Sequence, residues 1–111
     1  MTTTEGVARD KAKLERLNVL NAFVKQCSGR LKEYRAKVQE LSEERVRLAL
    51  RIIGAAHGIE MEGLESEFAA NEAKWSLNVA IADRIESHCQ VTVSEIYKEF
   101  GFEGLDKKAL G

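Results

Sequence analysis

The chain has 111 residues and a net charge of −1; 32% of its residues are charged, 44% hydrophobic and 6% aromatic, with two cysteines and no proline. That length holds one domain, and abundant charge with few aromatic rings points to helical bundles and coiled coils rather than sheets. No apolar run reaches the ~20 residues of a membrane-spanning helix, and the opening residues MTTTEG lack the basic and apolar regions of a secretory leader, so a soluble cytoplasmic protein is expected.

The first predicted element is a helix over residues 4–57. Thr2 and Glu5 have capping-box spacing before it, and Gly58 is placed to take a left-handed conformation after His57, with Ile59 folding back toward Ile53. Along this helix Leu17, Leu20, Val24, Cys27, Leu31, Tyr34, Val38, Leu41, Arg45, Leu48 and Ile52 follow at alternating steps of three and four. Those steps keep every named residue on one stripe, the seam that a neighbouring helix covers. Arg45 alone breaks its apolar character. It is expected to meet a seam carboxylate or to reach the edge with its head group, an anion-binding role being the alternative. Gly29 falls on the outward face, where it costs ~1 kcal/mol of helix propensity and leaves the seam intact. At ~1.5 Å per residue the helix is roughly 80 Å long, and it has to be clothed by partners.

A second helix is predicted over 59–90. Glu60, Glu62, Glu65 and Glu67 load its first turns with negative charge, which the N-terminal end of the helix dipole favours. Met61, Leu64, Phe68, Trp75, Ala82, Ile85 and Cys89 form its stripe, with Asn71 and Asn78 in the seam. Leu77, Val79 and Ile81 widen the apolar face beyond a two-stranded seam. Thr92 and Glu95 repeat the capping-box spacing, so a third helix is predicted over 92–100, stopping at Gly101, with a short tail over 102–111. Residues 93–102 faintly resemble the first helix and turn of a helix-turn-helix unit. Tyr97 stands where that motif wants a small residue, and only Lys107 and Lys108 remain for a recognition helix. A capped C-terminal helix closing a bundle explains the same residues.

Element lengths direct attention to one strip. Folded back along the first helix, the second covers it from about His57 to Gln26 and leaves Leu14, Leu17, Val19, Leu20, Phe23 and Val24 for another molecule or for the third helix. A contiguous apolar strip on a water-facing surface marks an interface, and a homodimer of four helices is the most economical closure. In a parallel, in-register pair Arg30 would face the partner's Arg35, so an antiparallel arrangement fits better. Charge agrees: residues 7–53 carry twelve Lys/Arg and six Asp/Glu, residues 54–111 five and eleven. The basic half is therefore expected to lie along the acidic half. The alternative assigns Lys25, Arg30, Lys32, Arg35 and Lys37 to phosphate groups of nucleic acid.

Chemistry-bearing patterns are few. Cys27 and Cys89 both fall on seams, where small thiols are expected to be buried and reduced, although a hairpin brings them to a similar level. His88 and Cys89 are adjacent and so point in different directions, a poor start for a metal site needing about four converging ligands. No nucleophile elbow, phosphate-cradling glycine loop or zinc-protease pair is present. No catalytic residue, cofactor or metal is therefore expected. The sequence predicts an all-α antiparallel hairpin with a short C-terminal helix, assembling into a coiled-coil-like bundle. The expected role is a non-enzymatic protein–protein interaction module (scaffold, adaptor or inhibitor) acting as a homo-oligomer, with Leu14, Leu17, Leu20, Phe23, Val24, Leu31 and Trp75 at its interfaces. A nucleic-acid-associated protein is the first alternative and a small helical enzyme the second.

Overall fold

The computed structural model describes residues 3–55 and 58–106, with side chains described at 9–55, 58 and 60–106. Two long helices, α1 (Thr3–Gly54) and α2 (Ile59–Phe100), pair antiparallel as a hairpin, and a single 3-10 turn follows over Phe102–Gly104. Thr2, the side chain of Glu5, the tail lysines Lys107 and Lys108, His57 and the side chain of Ile59 lie outside what is described, so the first capping box does too.

The α1 ladder behaves as its spacing demands. Every seam residue from Leu17 to Ile52 is buried or half-buried, Arg45 included. The helix ends at Gly54 rather than His57: the Ala55 amide still bonds the carbonyls of Arg51 and Ile52, at 2.9 and 3.2 Å, and regular helix stops there. Gly54 is the physical reason, since a residue without a Cβ gains least from helical geometry. Gly58 does take the left-handed conformation expected of it, with φ 84°. Its carbonyl accepts the Glu62 amide at 3.1 Å, which makes Gly58 the entry to α2.

A larger correction concerns the third helix. No break occurs near residue 91; α2 runs through to Phe100. The Thr92 hydroxyl, expected to cap a new helix, instead donates to the His88 carbonyl one turn back, at 3.0 Å. The seam explains why. Cys89, Thr92 and Ile96 continue the steps of three and four without a phase change, so an unbroken helix keeps them all facing α1. Thr92 and Ile96 are both buried. The residues likened to a helix-turn-helix are thus the last turns of α2 and a 3-10 turn. Gly101 stops α2 as expected, with φ 74° and its amide on the Tyr97 carbonyl at 2.9 Å.

Packing divides the chain into two compact units, Met1–Arg30 with Ile85–Gly111, and Leu31–Arg84. In the first, Val24 and Ile96 form the core, Ile96 at 0% exposure, and Leu17, Leu20, Cys89, Val93, Phe100 and Leu105 pack around them. Burying a side chain of this size contributes about 1.5–3 kcal/mol. The 3-10 turn is held onto α1 by Asn21, whose amide donates to the Gly104 carbonyl at 3.0 Å while its Oδ1 accepts the Asp106 amide at 3.2 Å. Gly104 sits where a Cβ would come within 2.6 Å of the Phe100 Cβ. In the second unit Leu48, Leu64, Ala82 and Asn71 are buried.

Candidate functional site

Where two helices pair alone, each seam is covered on one side and its flanks stay open. The second unit shows how the polar seam residues are handled. Arg45 donates to Glu72 at 3.2 Å, and its guanidinium lies 5.3 Å from the Phe68 ring centre and 5.5 Å from that of Trp75. It is therefore a carboxylate-paired cation held against two aromatic faces, the first of its two expected roles. The Trp75 indole donates to the Ser42 hydroxyl at 3.0 Å, which fixes the half-buried ring inside the hairpin. Asn71 donates to the Leu41 carbonyl at 3.1 Å, while its Oδ1 is buried with no hydrogen-bond partner among the described residues. Outside the seam, Val46, Leu50 and Ile53 are exposed at successive turns of α1, Ile53 at 80%. Leu77 is exposed on α2.

The first unit divides the strip expected to be uncovered. Val24 is inside the core, and Leu17 and Leu20 are half-buried against it, so the continuation of α2 supplies their cover. This corrects the assignment of Val24 to an intermolecular surface: its contacts are internal, because α2 ends at Phe100 rather than near residue 90 and so reaches it. Leu14, Val19 and Phe23 remain exposed on α1. Leu31, in the other unit, is half-buried. Arg16 and Glu99 close this end with an ion pair at 2.9 Å, and that hydrogen bond with the carboxylate's charge raises the Arg16 pKa above its ordinary value.

A groove of about 580 Å³ opens on the same unit, with Cys89, Val93 and Tyr97 along one stripe of α2 and Phe102 and Leu105 from the turn. Its walls are almost wholly apolar. The sequence does not disclose it, because the groove needs the 3-10 turn folded back against α2. Gly101 is its one local signal. Tyr97 and Phe102 stand at its edge, both exposed. Cys27 and Cys89 are free thiols. Burial first, and the neighbouring Cys89 second, push the Cys27 thiol pKa up, so it resists ionisation near neutral pH.

The five basic residues weighed as phosphate contacts are all exposed on α1, Lys25 and Arg30 in the first unit and Lys32, Arg35 and Lys37 in the second. The Lys37 ammonium lies 4.7 Å over the Tyr34 ring. Among the described residues no group of three or more His, Cys, Asp or Glu converges as metal ligands, and no helix is long and apolar enough to cross a membrane. No protein-family model matches the sequence, and comparison with curated proteins and with solved structures finds no match.

Proposed function

We propose that this protein is a non-enzymatic helical interaction module, a small scaffold, adaptor or inhibitor that works in the cytoplasm as a homo-oligomer. The observation that carries this reading is the large apolar side chains left in water on both helices. Leu14, Val19, Phe23, Tyr97 and Phe102 are exposed in one unit, and Val46, Leu50, Ile53 and Leu77 in the other. Single exposed leucines are ordinary, but runs at helical spacing such as Val46, Leu50 and Ile53 form faces, and faces of this kind are covered in the working state. The polar seam residues support a structural role. Arg45, Trp75 and Asn71 spend their hydrogen bonds on the opposite helix.

Sedimentation equilibrium over a hundredfold concentration range tests the reading. A reversible dimer or larger closed assembly is expected, and a monomer at every concentration overturns the homo-oligomer.

A further inference from the structure

We propose that the apolar groove of the first unit receives Leu14 from a second copy of this chain, two copies closing reciprocally about a two-fold axis parallel to their helices. This rests on the homo-oligomer reading and adds the surface and orientation of contact.

The groove and its ligand lie on one face. Leu14 and Asn21 are seven residues apart, two turns, and so share a side of α1. Asn21 is bonded on that side to the carbonyl of Gly104 and the amide of Asp106, within the segment that also supplies Phe102 and Leu105 to the groove. Leu14, at 57% exposure, and the groove's edge residue Tyr97, at 56%, therefore open in the same direction. A closed pair needs this arrangement, since both halves of a reciprocal contact must be presented to the same partner.

Charge selects the orientation. Residues 9–30 carry Arg9, Lys11, Lys13, Arg16, Lys25 and Arg30 against Asp10 and Glu15, a balance of +4. Residues 85–106 carry Lys98 against Glu86, Glu95, Glu99, Glu103 and Asp106, a balance of −4. A two-fold axis along the helices lays each α1 on the partner's α2, opposite charge on opposite charge and antiparallel. An axis across them lays α1 on α1 with like charges facing, which is repulsive. The exposed aromatic edge, Tyr97 and Phe102, is of the residue type that anchors such contacts.

The test uses the full chain with L14E and Y97E, and S66E as a control in the other unit. All three positions are exposed, and circular dichroism checks that each variant keeps its helix content. Should Y97E lose helix, F102S replaces it. Sedimentation equilibrium is expected to give a wild-type dimer, at least tenfold weaker dimerisation in L14E and in Y97E, and no change in S66E. Mixing L14E with Y97E is then expected to recover part of the dimer, because a mixed pair keeps one intact Leu14-to-groove contact. A dimer that survives L14E and Y97E, or a mixture that recovers nothing, overturns this surface while the module reading stands. Open-ended polymers also overturn it. A wild-type monomer at all concentrations overturns both.

Discussion

Asn71 is 4% exposed, with its amide nitrogen on the Leu41 carbonyl and no donor to its Oδ1 among the described residues. Turning the amide over would set oxygen against oxygen, so the nitrogen has to face Leu41 and the Oδ1 stays unpaired. A buried acceptor without a donor costs on the order of 1–3 kcal/mol, more than one neutral hydrogen bond returns. Asn71→Leu is therefore expected to stabilise the chain by about 1 kcal/mol in urea unfolding, because the transfer penalty goes and the Leu41 carbonyl keeps its helical partner. An equal or lower midpoint would show that the Leu41 bond outweighs the unpaired oxygen. A seam asparagine also disfavours shifted pairings, since any other register buries it without the Leu41 carbonyl.

At the scale of elements, the two glycine environments predict opposite responses to the same substitution. Gly29 lies inside α1 with nothing within 4 Å of the point a Cβ would occupy, so Gly29→Ala is expected to raise stability by about 0.5–1 kcal/mol. Gly101 sits at φ 74°, where a Cβ crowds the backbone, and Gly101→Ala is expected to cost about 1–2 kcal/mol. Thermal melts followed at the helix signal check both signs. The same elements show what the sequence disclosed. The α1 ladder was readable because eleven successive seam residues agree on one stripe, and the stop at Gly101 because a glycine after an apolar helix end has few other uses. The continuity of α2 was obscured by Thr92 and Glu95, whose capping spacing is equally compatible with a helix interior. The phase of Cys89, Thr92 and Ile96 would have decided it, since a new helix has no reason to keep the old register. The groove was out of reach, being made by a turn whose path depends on tertiary bonds from Asn21.

For the whole molecule, stability is distributed over two small cores. Ile96→Ala removes the most buried side chain of the first unit and is expected to cost about 2–5 kcal/mol. Hydrogen exchange should localise the effect, with amides near Val24 and Ile96 exchanging faster and those near Leu48 and Leu64 changing least; uniform acceleration would mean that the units open only together. The units also differ in connectivity. Leu31–Arg84 is one continuous stretch, whereas the other unit joins the first thirty residues to the last twenty-seven. Arg16 waits for Glu99 and Asn21 for Gly104, each 83 positions later in the chain. On a ribosome adding ~5–20 residues per second, that wait is on the order of ten seconds. Throughout it the basic residues 9–30 have been synthesised while the acidic residues 85–106 have not. Leu17, Leu20 and Val24 are therefore made well before the residues of α2 that cover them, so the order of synthesis leaves this stripe of the first core waiting longest for its partner.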